Sequence, residues 1–173
     1  MSDPSTDDND TLTANYTDDA DLGVAVGVED LQANVTALTT GGVTDTFESD
    51  MGSVLNSNVT VNLLQAGGIS KADIANIGSG TTLTGGARVG DFTVDYTSAV
   101  SNVGVTGGTG ALDVNATASK VSDLTVDGSA GTTTTVNFGA ESSDLSVTSG
   151  TGAVTVGSAA EIANLTVDAS ASQ

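Results

Sequence analysis

Short stretches in which an aliphatic residue alternates with Thr, Ser, Asn or Asp recur along this chain, separated by glycine-rich corners. The clearest are Val100-Ser101-Asn102-Val103-Gly104-Val105, Val121-Ser122-Asp123-Leu124-Thr125-Val126, Ser142-Ser143-Asp144-Leu145-Ser146-Val147 and Ile162-Ala163-Asn164-Leu165-Thr166-Val167. Alternation of period two places apolar side chains on one face of a strand and polar ones on the other. A second series lies between them: Phe92-Thr93-Val94, Leu112-Asp113-Val114, Thr134-Thr135-Val136 and Val154-Thr155-Val156. Each repeat therefore predicts two short strands. Turns are expected at Gly107 to Gly110, Gly128 to Gly131 and Ser149 to Gly152, where glycine permits the positive φ of a tight corner.

An Asn or Asp stands just before an aliphatic residue at Asn34, Asn58, Asn76, Asn102, Asp123, Asp144 and Asn164, at intervals of 24, 18, 26, 21, 21 and 20 residues. A unit of that size cannot bury its own apolar face, so neighbours must stack into a continuous core. The pattern predicts an all-β fold, a parallel β-solenoid or β-helix with coils of about 20–21 residues. An antiparallel β-sandwich is the alternative, because strand, Gly-rich turn, strand also describes a hairpin. Near-constant spacing favours the solenoid, since coils stacked about 4.8 Å apart reward identity at equivalent positions. Stacked Asn side chains would also hydrogen-bond along the axis. The array is read as residues 30–173, irregular to about residue 98 and regular over 99–173. Residues 1–29 form an acidic leader that ends in an edge-pairing strand, with Leu22, Val24, Val26 and Val28 alternating against smaller residues. Ser70-Lys71-Ala72-Asp73 has the form of a capping box and predicts one helical turn near 71 to 77.

Composition narrows the chemistry. Aromatic residues make up 3% of the 173 residues, so the core must be thin and built from Val, Leu, Ile and Ala. Against 22 acidic residues stand only Lys71, Arg88 and Lys120, a formal charge of −19. Nucleic acid is excluded as a partner because no basic patch exists to replace phosphate counterions, and an anionic membrane surface is excluded on the same ground. The chain has no Cys and no His, which removes disulfides, thiolate zinc sites and the commonest general base. No apolar run has the length of a membrane span, and Met1-Ser2-Asp3-Pro4 does not open a signal peptide. Arg88 and the two lysines are scattered without a local acid cluster, so no enzymatic activity is expected.

Carboxylates without basic partners call for counter-charge. Asp7, Asp8, Asp10, Asp18, Asp19 and Asp21 crowd the leader and form the first candidate set of ligands for Ca²⁺, which accepts carboxylate oxygens in flexible geometry. Asp123 and Asp144, one coil apart, form a second set, to which Asp127 would add if it lies on the same side. Gly107-Gly108-Thr109-Gly110-Ala111-Leu112-Asp113-Val114 resembles the nonapeptide of calcium β-rolls, but Leu112 stands where that motif carries its ligand Asp, and the motif is rejected as a calcium site. Asn9, Asn15, Asn34, Asn58, Asn115 and Asn164 head Asn-X-Ser/Thr triplets that could accept glycans in an exported protein.

The final unit carries Asn164, Leu165 and Val167 and is followed by no charged strand or Pro that would blunt its edge, so a second copy can dock on it, with Leu22 to Val28 as the complementary strand. In its Thr/Val/Gly/Asp-rich coils the chain from about residue 30 resembles the repetitive β-solenoid regions of bacterial and archaeal S-layer and surface filament proteins. That resemblance implies a cell-surface or extracellular location, Ca²⁺-dependent assembly and no enzymatic activity. The expected function is that of a self-assembling structural protein whose partner is itself, head to tail. An adhesin, phage-fibre or ice-binding solenoid, displaying its Thr and Asp columns to a ligand, is the alternative.

Overall fold

A computed structural model describes residues 11–16, 28–35, 46–51, 54, 57–63, 71–86, 89–117 and 119–170. Fourteen strands follow in chain order: β1 (Thr11–Tyr16), β2 (Asp30–Val35), β3 (Thr46–Asp50), β4 (Asn58–Leu63), β5 (Lys71–Ala75), β6 (Thr82–Gly85), β7 (Phe92–Asp95), β8 (Val100–Thr106), β9 (Leu112–Ala116), β10 (Val121–Gly128), β11 (Thr134–Phe138), β12 (Ser142–Ser149), β13 (Val154–Ser158) and β14 (Ile162–Asp168). They form two parallel sheets, one of eight strands in the order β1-β2-β4-β6-β8-β10-β12-β14 and one of six in the order β3-β5-β7-β9-β11-β13. From β2 onward the chain crosses from one sheet to the other and back in each coil, so the fold is a parallel β-solenoid and the sandwich is excluded.

Register is continuous through the stack. Thr11, Asp30, Asn58, Thr82, Gly104, Thr125, Ser146 and Thr166 lie side by side in one outward column, separated along the chain by 19, 28, 24, 22, 21, 21 and 20 residues. The neighbouring inward column runs Leu12, Leu31, Val59, Leu83, Val105, Val126, Val147 and Val167 over the same pairings. In the six-stranded sheet Ile74, Val94, Val114, Val136 and Val156 make a matching column.

The core stays thin because small residues on one sheet meet large ones on the other. Gly85, Gly107 and Gly128 occupy one inward column of the eight-stranded sheet. A Cβ on Gly85 would lie 3.1 Å from Phe92 Cδ1, one on Gly107 3.2 Å from Leu112, and one on Gly128 would run into Thr134 Oγ1. The second sheet's bulk thus reaches across the core to the first sheet's backbone: a methyl group is blocked at Gly128 and would push Phe92 or Leu112 aside by a few tenths of an ångström at Gly85 or Gly107. Thr134 is fully buried and its Oγ1 makes no hydrogen bond. The Tyr96 hydroxyl is also buried without a partner, and burial pushes its pKa well up.

One local expectation is corrected, and one strand is added. Lys71–Ala75 is strand β5 and not a helical turn: Ala72 and Ile74 alternate inward between Phe47 and Phe92, Val94 of the adjacent strands, and that packing outweighs the capping-box signal. The first strand of the stack is Thr11–Tyr16, inside the acidic leader, which pairs residue for residue with β2. Leu22, Val24 and Val26 lie outside the described residues, while Val28 is buried at 4% exposure and its carbonyl accepts a hydrogen bond from Ser57 Oγ at 2.6 Å.

The alternation has a direct check. Leu124 is 1% exposed and its neighbour Thr125 faces solvent. Leu124→Asp strands a carboxylate in the core and should cost several kcal/mol, a sizeable part of the ~5–15 kcal/mol that holds a domain together, whereas Thr125→Asp should be nearly silent. Equal shifts of the denaturation midpoint would contradict this register.

Candidate functional site

Gly80, Asn102, Asp123, Asp144 and Asn164 share one backbone conformation, with φ of 75°, 53°, 52°, 54° and 57°. Ser122 pairs with Ser143 and Leu124 with Leu145, leaving Asp123 and Asp144 skipped between them. Each strand therefore carries one extra residue, a bulge at which two successive side chains face outward before the inward alternation resumes. The left-handed region is costly for most L-residues and is visited readily by Gly, Asn and Asp. That requirement explains why Asn or Asp recurs at this corner. Hydrogen bonding along the axis accompanies it at one step, where Asn164 Nδ2 donates to Asp144 Oδ1 at 2.8 Å.

The earlier members of the recurring series fall elsewhere. Asn34 and Asn58 sit within ordinary strand pairing of β2 and β4, and Asn76, although left-handed at φ 60°, follows β5 in the other sheet and donates to Asp50 Oδ2 at 2.6 Å. The hydrogen-bonded side-chain ladders run through different residues. Asn62 donates to Asn34 at 3.0 Å and Asn34 to Asn15 at 3.4 Å. Asn137 donates to Asn115 and Asn115 to Asp95, each at 3.0 Å. Asn58 donates to Asp30 at 3.1 Å. Asn or Asp at in-register positions was the signal for these ladders, and uneven coil lengths obscured it.

Asp123 and Asp144 are exposed on successive coils. Asp127 lies on the same side: with Asn102, Asp123 and Thr125 it borders a shallow depression of about 320 Å³ above Gly104, whose missing side chain makes the hollow. Asp127 Oδ1, however, accepts the Ser129 amide at 2.9 Å and so serves its own turn. Among the described residues no group of three or more His, Cys, Asp or Glu side chains is arranged to hold a metal ion. Asp7, Asp8, Asp10, Asp18, Asp19 and Asp21 lie outside the described residues.

On the other sheet, Glu48 of β3 and Asp73 of β5 are register partners, with Asp95 of β7 nearby. Burial raises the Asp73 pKa first, and the charges of Asp95 and Glu48 raise it further. One step away Lys71 Nζ contacts Asp91 Oδ2 at 2.8 Å, holding the Asp91 carboxyl below the usual range. This acidic face was not anticipated, because Glu48, Asp73 and Asp95 become neighbours only once β3, β5 and β7 are stacked.

The most distinctive surface is the end of the stack at β14. Leu145 and Val147 are 2% and 1% exposed under β14, while Leu165 and Val167, the next members of the same two columns, are 46% and 43% exposed. They are the exposed large apolar side chains among the described residues, and among those residues β14 pairs only with β12. At the opposite end β1 pairs, among the described strands, only with β2, and its Leu12 and Ala14 pack against the core. No protein-family model matches the chain, and neither the curated proteins nor the solved structures yielded a match to it.

The left-handed corner predicts a substitution order at Asp123. Asp123→Asn and Asp123→Gly should leave stability within about 0.5 kcal/mol, while Asp123→Val, β-branched and strained at positive φ, should cost about 1–2 kcal/mol or more in chemical denaturation. A valine variant as stable as the asparagine variant would contradict the bulge geometry.

Proposed function

We propose that this chain is a self-assembling structural protein that forms an extracellular filament or surface layer by stacking its solenoid ends head to tail. The observation that carries the reading is the open edge of β14, where Leu165 and Val167 continue buried core columns into solvent. An exposed, parallel, apolar strand edge is a template for another strand, and a contact between the two different ends of one molecule propagates without closing. The absence of Cys and His and the charge of −19 fit a structural role outside the cell.

A ligand-displaying adhesin or ice-binding solenoid would use the outward Thr columns. The column Thr82, Gly104, Thr125, Ser146, Thr166 breaks at Gly104, and its counterpart Thr93, Asp113, Thr135, Thr155 breaks at Asp113, so neither gives the regular array that reading needs.

Deleting Ile162 to Gln173 should leave a folded β-rich protein that no longer polymerises, as judged by circular dichroism and negative-stain microscopy. Leu165→Lys should have the same effect on assembly, by placing a charge in an apolar column. Unaltered filaments from both variants would remove β14 from the interface.

Acidic ends repel one another, so assembly should need a bridging or screening cation. We assign that role to Ca²⁺ at Asp7, Asp8, Asp10, Asp18, Asp19 and Asp21 first, and at Asp123 with Asp144 second. Millimolar Ca²⁺ should promote filaments where NaCl of equal ionic strength does not. Equal assembly of chelator-treated protein in dilute buffer would exclude the cation.

A further inference from the structure

The side-chain ladders have a direction. In every bond between Asn side chains, or from Asn to Asp, described above, the donor amide lies in the later coil and the acceptor in the earlier one. Four of these end on Asp30, Asp50, Asp95 and Asp144. An ionised carboxylate can only accept, so chemistry fixes the sense of those pairs. The two ends of the stack are consequently unlike. At β1, Asn15 Oδ1 already accepts from Asn34, as Asn34 Oδ1 accepts from Asn62, so the Asn15 amide holds the donor end of that ladder. Beyond β14, Asp168 Oδ1 accepts the Ser170 amide at 3.0 Å, and the Ser170 hydroxyl also hydrogen-bonds the Asp168 carboxylate. That hydroxyl, spent as a donor, keeps its lone pairs for an incoming amide.

We propose that a second copy of this chain docks with its β1 on β14 in unbroken register: Thr11 over Thr166, Leu12 over Val167, Thr13 over Asp168 and Asn15 over Ser170. The inference rests on the self-assembly reading and deepens it by naming the strand and the register. Leu12 and Val167 are the two ends of one core column, and Thr11 and Thr166 are the two ends of the outward column beside it. Docking in this register makes the copy the next coil of the same solenoid. The Asn15 amide then donates to Ser170 Oγ, in the sense that every ladder already follows. Head-to-head contact would set donor against donor.

The competing register slips by two residues and sets Leu12 on Leu165. It covers more apolar surface locally, but it displaces one copy along the strands by about 7 Å, taking the inward and outward columns of the eight-stranded sheet out of line. Continuity of those columns decides against it.

The chain has no cysteine, so paired cysteines report the register without background. Thr11, Thr13 and Thr166 are all exposed. In the proposed register the Cα atoms of residues 11 and 166 of adjacent copies lie about 4.8 Å apart, within disulfide range, and those of residues 13 and 166 about 8 Å apart, beyond it. Each double variant, confirmed as folded by circular dichroism, is placed in millimolar Ca²⁺, imaged, gently oxidised and run on a non-reducing gel. Thr11→Cys with Thr166→Cys should give a ladder of covalent multimers, and Thr13→Cys with Thr166→Cys should stay monomeric on the gel. Filaments that cross-link only through the second pair, or through neither, overturn the register while leaving end-on assembly standing. Absence of filaments in the unsubstituted protein overturns both.

Discussion

The coils of this fold are held by backbone hydrogen bonds to their neighbouring coils, and that single constraint organises the rest. Parallel strands stacked about 4.8 Å apart must repeat their side-chain directions, so the chain resolves into columns that are each inward, outward or corner for the length of the stack. The inward columns then set residue size: where the second sheet carries Phe92, Leu112 or Thr134, the first carries Gly85, Gly107 or Gly128. The corner column sets conformation, accepting Gly80, Asn102, Asp123, Asp144 and Asn164 because each tolerates positive φ. Outward columns are left to solubility and to polar ladders.

Columns also concentrate charge. Thr106, Asp127, Thr148 and Asp168 alternate in one outward column, which spaces its acids two coils, about 9.6 Å, apart, close to the ~10 Å screening length at 0.1 M salt. Glu48 and Asp73 have no such spacer; burial first, and then the charges of Asp95 and Glu48, raise the Asp73 pKa. A carboxyl whose folded pKa lies above its unfolded value opposes folding as pH rises through that interval, so mild acid relieves this face.

Much of the architecture was legible in the sequence, and the reasons for success and failure are specific. From Val100 onward coils of 21, 21 and 20 residues keep equivalent residues at equal intervals, and the paired series Leu112-Val114, Thr134-Val136 and Val154-Val156 sits where alternation placed it. Toward the other end the register intervals are 19, 28, 24 and 22, so Asn34 and Asn58 aligned by count with positions they do not share. Lys71–Ala75 carried a local helix signal that neighbouring strands overrode. The corner Asx residues were recognisable as a series, but their cause, a left-handed bulge, is a backbone property that residue type only hints at. The glycine column was read as turns, whereas Gly85, Gly107 and Gly128 also make room across the core. Leu165 and Val167 carry the alternation of the buried columns, which places them on the inward face of β14.

The direction of the inter-coil hydrogen bonds has a mechanical meaning. They lie along the solenoid axis, so a pull along that axis loads the successive interfaces in series, and each must bear the full force. The weakest interface yields first, and what it releases is one coil, about 20 residues, or roughly 70 Å of extended chain. A solenoid of this kind under tension lengthens in discrete steps while the remaining coils stay folded, because each coil's core contacts are confined to its immediate neighbours.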